Sequence, residues 1–161
     1  MRFRIAAPAD LEAVTALINL AFKVERFFVE GDRIQLDGVR ALATKGRFIL
    51  IYDAESLAGC VYVEIKGERG YIGLLSVDPV RQRSGIGSRL MQAAEEHCHE
   101  SGCRFAELRI VNIRQELPGF YRRLGYRETG TAPLTPGIVT KIPCHFVEMT
   151  KALDRASEAA G

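Results

Sequence analysis

The first part of the chain shows two amphipathic helical patterns. Over residues 11–22, apolar side chains recur every three or four positions, which is the spacing of one helix face. Asp10 stands directly before this pattern and is predicted to cap the helix. A second, weaker pattern over residues 33–45 ends at Gly46, a typical helix stop. The segment 24–31 between the two helices contains two adjacent phenylalanines.

From Phe48 onwards the pattern changes to that of β-strands. Short apolar stretches bounded by turn residues are typical of strands, and short turns make successive strands antiparallel neighbours. Three strands are predicted in this part of the chain, at residues 48–52, 57–65 and 71–77.

The remainder of the chain alternates helices and strands. A helix is predicted over residues 86–101 and a strand over 105–111, and a strand, a helix and a strand in this order favour a parallel pair. Pro118 begins a short helix that stops at Gly125. Two further strands are predicted near residues 126–131 and 145–150.

Together these elements predict one α+β domain over residues 1–153. Its sheet is expected to be mostly antiparallel, with six or seven strands and about four flanking helices. A chain of 161 residues is long enough to bury a core of its own without disulfides. The last residues, 154–161, are predicted to form a frayed tail.

Charge and hydropathy exclude several classes of protein. The chain has 22 lysines and arginines against 20 aspartates and glutamates, a formal charge of +2, which argues against a nucleic-acid partner. No apolar run approaches the ~20 residues of a membrane span, and the N-terminus lacks the apolar core of a signal peptide. We therefore expect a cytoplasmic protein without a membrane partner.

The four cysteines form no CxxC pair and are expected to be reduced thiols. His99 and Cys103 have the i, i+4 spacing that can hold zinc on one helix face. However, Gly102 is predicted to end the helix between them, so the sequence predicts no metal site.

A glycine turn joins the third predicted strand to the helix that follows it, in the sequence LLSVDPVRQRSGIGSRL, residues 74–90. Gly85 and Gly87 let the backbone turn sharply and let a ligand approach its N–H groups. The first turn of the helix offers free N–H donors and the positive end of the helix dipole. Fixed positive charge is expected from Arg81, Arg83 and Arg89, and neutral donors are present at Gln82, Ser84 and Ser88. A diphosphate would suit this turn.

Two common nucleotide motifs are absent from the sequence. A P-loop needs Gly-Lys followed by Ser or Thr, and the dinucleotide fingerprint needs three glycines in G-x-G-x-x-G, but only two are present here. An enzyme that binds nucleotides or phosphate esters through the same turn is therefore disfavoured.

Several separate motifs make the chain similar to the GNAT superfamily of N-acetyltransferases. Gln82, Gly85 and Gly87 match the family's Q/R-x-x-G-x-G/A signature, and residues 119–126, GFYRRLGY, resemble its FYxxLGF box. The last predicted strand, HFVEMTKAL, resembles the family's usual ending. The likeness extends in element order from Phe3 to Leu153.

This resemblance implies a fold and a cofactor. The fourth and fifth strands would be parallel and splayed apart to admit the pantetheine arm of acetyl-CoA. Its pyrophosphate would lie on the N–H groups of residues 83–88, and its arm would pair with the backbone of residues 75–77. The implied cofactor contacts are Leu75, Ser76, Val77, Gln82, Arg83, Ser84, Gly85, Ile86, Gly87, Ser88, Asn112 and Tyr121.

The resemblance also implies direct attack of an amine on the acetyl thioester, with Tyr121 beside the departing thiolate. A free phenol has a pKa of about 10 and a thiol about 8.5, so complete proton transfer would be uphill by about 2 kcal/mol. Tyr121 is therefore expected to donate a hydrogen bond. The predicted fourth strand carries no acid, so Glu64, Glu107, His145 and solvent remain as alternatives for the base.

The acceptor is not specified by these motifs. It would be a small-molecule amine or a peptide, recognised by the loop around Phe27 and Phe28 and by residues 132–145. A homodimer is a further implied partner. Because the fourth strand lacks an acid, a non-catalytic acyl-CoA-binding module is the alternative function.

Overall fold

The computed structural model describes residues 1–153, and the predicted tail lies outside these described residues. Its strands are β1 (Arg2–Ile5), β2 (Arg47–Asp53), β3 (Ser56–Lys66), β4 (Arg69–Val77), β5 (Phe105–Val111), β6 (Arg127–Ala132) and β7 (Phe146–Ala152). Its α-helices are α1 (Leu11–Ala21), α2 (Leu36–Lys45), α3 (Ile86–Glu100) and α4 (Leu117–Arg123).

All seven strands form one mixed sheet in the order β1-β2-β3-β4-β5-β7-β6. Every neighbouring pair is antiparallel except β4 and β5, which are parallel. The predicted α+β fold, with its parallel pair, is confirmed. Strand β1 was not predicted, because all four of its side chains are exposed and no buried face marks it in the sequence.

The sheet is covered by helices on both faces. On one face α3 and α4 bury the larger apolar cluster, which includes Ile72, Leu90 and Met149. On the other face α1 and α2 pack on strands β2 to β4 through a second cluster that includes Ile18 and Leu50. Apolar burial on both faces is what holds the central strands in place.

The predicted role of Asp10 as a helix cap is wrong. Its carboxylate accepts a hydrogen bond from the Ala7 N–H at 2.7 Å and pairs with the Arg4 guanidinium at 2.9 Å. These contacts close a 3-10 turn, Pro8–Asp10, that precedes α1. Asp10 therefore links β1 to the start of α1 instead of capping the helix.

The parallel strands β4 and β5 diverge after a short paired segment. Only Arg69–Tyr71 pairs with Phe105–Glu107, and the two strands separate beyond it. β4 also contains a bulge: Cys60 pairs with Ser76 and Tyr62 with Gly73, so β4 has one extra residue there. Leu74 within the bulge has a φ of +52°. A bulge bends its strand, and this one lies where the sheet opens.

Gly46, the residue after α2, permits a close approach to β3. Its N–H donates to the Leu42 carbonyl at 2.9 Å. A Cβ added here would collide with the Val63 carbonyl oxygen and lie 2.7 Å from the Tyr62 hydroxyl oxygen. We expect Gly46→Ala to lower the free energy of unfolding by roughly 2–3 kcal/mol, because the backbone of β3 must shift.

Urea denaturation followed by circular dichroism measures this loss. Gly119→Ala is the matched control, because a Cβ there lies 3.5 Å from the nearest atom, an Arg123 guanidinium nitrogen. Removing a glycine from α4 should leave the midpoint unchanged or slightly raised. Equal midpoints for the two variants would contradict the proposed collision.

Candidate active site

A cavity of about 520 Å³ lies between the end of β4, the glycine turn and α4. Eight of the residues predicted from the sequence as cofactor contacts line it. They are Leu75, Val77, Gln82, Arg83, Gly85, Ile86, Gly87 and Ser88. We call this the large cavity.

Two residues of the glycine turn that line the large cavity have a left-handed backbone conformation. Gly85 has a φ of +82° and Arg83 a φ of +69°. Gly85 adopts this conformation without a steric cost, and it stands immediately before α3. The first N–H groups of α3 lack partners within the helix, so they are available at the cavity wall.

The positive charges around the turn are only partly directed at the large cavity. Arg81 lines it but is held by Asp78 at 2.7 Å and by Asp53 at 3.6 Å. Arg83 also lines it. The expectation that Arg89 adds charge here is wrong, because its guanidinium lies 5.6 Å from the ring centre of Phe3.

A second cavity, of about 130 Å³, lies in the opening between the strands and includes Leu75 of β4 and Leu108 of β5. We call this the small cavity. It adjoins the large cavity, because five residues line both of them. These shared residues are Phe22, Leu75, Arg114, Leu117 and Phe120. A ligand can therefore extend from the glycine turn into the opening between β4 and β5.

Tyr121, on α4, lines the small cavity and is 7% exposed. Its ring packs edge-on against Phe120 and Tyr126, with ring centres 5.0 and 5.9 Å away. Burial raises the pKa of its phenol above the ordinary value. Within residues 1–153 its hydroxyl makes no side-chain hydrogen bond, so it is available to a ligand.

The small cavity also contains an ion pair that the sequence analysis missed. Glu25, 5% exposed, accepts a hydrogen bond from Arg114 at 2.8 Å, and Arg114 also pairs with Glu116 at 2.5 Å. Glu25 and Arg114 are 89 positions apart, so no local pattern predicts their contact. The available signal was an acid within the apolar segment VERFF.

Residues 11–126, more than half of the chain, match the model of the acetyltransferase (GNAT) family. The chain belongs to the GNAT family. The GNAT assignment agrees with the fold and with the motifs at the glycine turn and α4.

Individual GNAT proteins are similar to this chain, one in sequence and two in structure. The chain is 33% identical over 88 residues to the blasticidin-S acetyltransferase of Streptomyces morookaense, covering 53% of this chain and 63% of that one. It superposes on nourseothricin acetyltransferase with a TM-score of 0.73 at 24% identity, covering 95% and 98% of the chains. An aminoglycoside 6'-N-acetyltransferase complexed with coenzyme A gives 0.75 at 18% identity, covering 96% and 98%.

These similarities show the fold and the family. The chain spans less than two thirds of the length of the curated relatives it matches, from 38% to 64%.

Three predicted contact residues do not line either cavity of this GNAT chain. The Ser76 hydroxyl donates to the Leu74 carbonyl at 2.9 Å, and the Ser84 hydroxyl donates to the Arg81 carbonyl. The Asn112 side-chain oxygen accepts the His145 N–H at 2.9 Å and so fixes the chain before β7. Their side chains have structural partners within the fold.

None of the three candidate bases lines the small cavity. Glu64 accepts a hydrogen bond from Tyr62 at 2.7 Å, which lowers the pKa of its carboxyl. Glu107 pairs with Arg69 at 2.9 Å in a neighbouring groove, which shares Tyr71, Leu108 and Arg109 with the small cavity. His145 is exposed on the segment before β7. Among the described residues, Glu25 is the carboxylate that lines the small cavity, and Arg114 holds it.

The structure also shows the surroundings of His99 and Cys103. α3 ends at Glu100 and Gly102 has a φ of +90°, so the helix does end between them as predicted.

Residues 1–153 contain no group of three metal-binding side chains, and none of their helices has the length and apolarity needed to cross a bilayer. A cytoplasmic location and a homodimer stay predictions.

Proposed function

We propose that this GNAT protein transfers the acetyl group of acetyl-CoA to a primary amine by direct attack. The observation that carries the proposal is the opening between β4 and β5, which joins the glycine turn to the buried phenol of Tyr121. Membership of the family supports the same chemistry.

Each part of acetyl-CoA has a suitable surface. The diphosphate suits the N–H groups at residues 83–88, where the helix dipole and Arg83 favour negative charge. The pantetheine arm suits the β5-facing edge of β4 after the bulge, because β5 has separated there and leaves polar backbone groups of β4 without ladder partners. Leu75, Val77 and Phe120 give that path an apolar wall.

The thioester would then lie in the small cavity. The amine nitrogen forms a bond to the acetyl carbon, and an N–H of β4 stabilises the oxyanion. The C–S bond breaks as the intermediate collapses, and the electron pair leaves on sulfur as a thiolate. Tyr121 donates a hydrogen bond to that thiolate, since its raised pKa makes complete proton transfer still less favourable.

The proton on the amine goes to solvent in this proposal. Glu25 is held by Arg114, and Glu64, Glu107 and His145 do not line the small cavity. An acceptor that binds as the neutral amine, or that loses its proton to water, needs no enzyme base. A small-molecule amine or a peptide amine can meet this requirement.

Calorimetric titration with acetyl-CoA, CoA and ATP tests the cofactor step. We expect micromolar binding of both CoA species and much weaker binding of ATP. The acetyl thioester of N-acetylcysteamine, which lacks the diphosphate, should bind at least about ten-fold more weakly, because it forgoes the charge-assisted hydrogen bonds of the glycine turn. No binding of acetyl-CoA or CoA would contradict the proposal.

A second candidate is a GNAT-fold module that binds acyl-CoA without catalysis. The pairing of Glu25 with Arg114 favours it, since no unpaired carboxylate among the described residues lines the small cavity. Release of CoA thiol in the presence of amines separates the two candidates. Binding of acetyl-CoA without thiol release across a broad amine panel would favour the module.

A further inference from the structure

The small cavity has one arginine without a carboxylate partner. Three arginines and one glutamate line it: Arg33, Arg109, Arg114 and Glu25. Arg114 pairs with Glu25 and Glu116, and Arg109 pairs with Glu148 at 3.2 Å. Within residues 1–153, no carboxylate lies within 4.0 Å of the Arg33 guanidinium. Arg33 is thus the cavity arginine whose charge is not matched by a neighbour.

Arg33 is held in position at this cavity. Its guanidinium lies 5.6 Å from the ring centre of Phe22, which lines both cavities. The next residue, Ile34, is bound through its N–H and its carbonyl to the side chain of Asn19 on α1, at 3.1 and 2.8 Å. A cation fixed by stacking and by its backbone loses little further freedom when it binds an anion.

Tyr71 adds a neutral donor to the same wall. Its side chain lines the small cavity and is partly buried. Burial raises the pKa of its phenol, so the O–H stays protonated, and Arg33 and Arg109 line the same cavity. A guanidinium beside a phenol O–H is a suitable pair of donors for a carboxylate or phosphate oxygen.

We infer that the acceptor is a small amine that also carries an anionic group, which Arg33 binds at the small cavity. This inference rests on the proposed acetyl transfer and names its substrate class. A purely cationic amine would be repelled by the unmatched charge of Arg33, whereas an anionic group offsets that charge beside the reacting nitrogen. The cavity volume of about 130 Å³ favours an acceptor of amino-acid size over a large ligand.

The test compares matched amines in the presence of acetyl-CoA. Glycine and glycinamide differ in the carboxylate, and O-phosphoethanolamine and ethanolamine differ in the phosphate. Release of CoA thiol gives kcat/KM for each amine with the unmodified protein and with Arg33→Gln. Arg40→Gln is the control, because Arg40 is exposed on α2 and pairs only with Asp37 among the described residues.

We expect Arg33→Gln to lower kcat/KM for an anionic amine by roughly ten- to hundred-fold, mainly through KM, as for loss of a charge-assisted hydrogen bond. The kcat/KM for the neutral amine of the same pair should change less than about two-fold, and Arg40→Gln should change kcat/KM for neither amine. Each amine is compared with itself in the two proteins, so its intrinsic reactivity cancels. The carboxylate and phosphate pairs show which anionic group is used.

The outcomes separate this inference from the proposed function. No turnover of any anionic amine, or equal effects of Arg33→Gln on both members of each pair, overturns the inference. Turnover of neutral amines alone also overturns the inference, but it leaves the proposed acetyl transfer standing. Loss of the inference together with no calorimetric binding of acetyl-CoA overturns both.

Discussion

Replacing Tyr121 with phenylalanine should lower kcat by roughly 10- to 100-fold while leaving the Kd for acetyl-CoA within about two-fold of its original value. The phenol is buried and lines the small cavity, so its hydroxyl meets the ligand only where the thioester would lie. The hydrogen bond to sulfur gains strength as the thiolate forms, so its loss affects the transition state more than the ground state. Calorimetry and thiol release with one good acceptor measure the two quantities.

Tyr126→Phe is the control for the Tyr121 variant. Its hydroxyl donates to Glu95 at 3.0 Å and does not line either cavity. Loss of this bond should lower the free energy of unfolding by about 1 kcal/mol without a comparable change in kcat. An unaltered kcat in Tyr121→Phe would remove the phenol from the mechanism.

Gly85→Ala should weaken acetyl-CoA binding at least about ten-fold, an effect larger than its cost to folding. Gly85 has a φ of +82° and lines the large cavity, and a Cβ there would meet no atom within 4 Å. The left-handed conformation costs an alanine about 1–2 kcal/mol, so the protein should fold with a lower melting temperature. The methyl group would stand at the wall on which the diphosphate of acetyl-CoA is proposed to lie.

Thermal unfolding and calorimetry must be read together for this variant. Gly102→Ala serves as control, since Gly102 has a φ of +90°, has equally open surroundings and does not line the large cavity. A Kd for acetyl-CoA in Gly85→Ala equal to that in Gly102→Ala would move the cofactor away from the start of α3.

Much of the fold and the large cavity follows from local sequence. The wall of the large cavity draws on two short contiguous segments, 75–77 and 82–88, whose glycines and helix start lie close together in the chain. Periodicity identifies the long elements because each buries one face. Contiguous features of this kind need no knowledge of the tertiary fold.

The small cavity depends on contacts that no local pattern contains. Glu25 and Arg33 come from the segment between α1 and α2, and they meet side chains of β5 and its following loop only in the folded chain. Arg89 was assigned to the glycine turn because it is near in sequence, but its position on α3 directs it to Phe3. Direction around a helix, rather than distance along it, decides such contacts.

The bulge in β4 sets which side chains face which side of the sheet. Side chains alternate along a strand, so one extra residue reverses the alternation beyond it. Ile72 packs in the α3 cluster before the bulge, and after it Leu75 and Val77 pack there, while Leu74 packs with the α1 cluster. The same residues running as a regular strand, without the bulge, would exchange these sets and turn Ser76 toward α3. The bulge therefore determines that the wall of the large cavity is apolar.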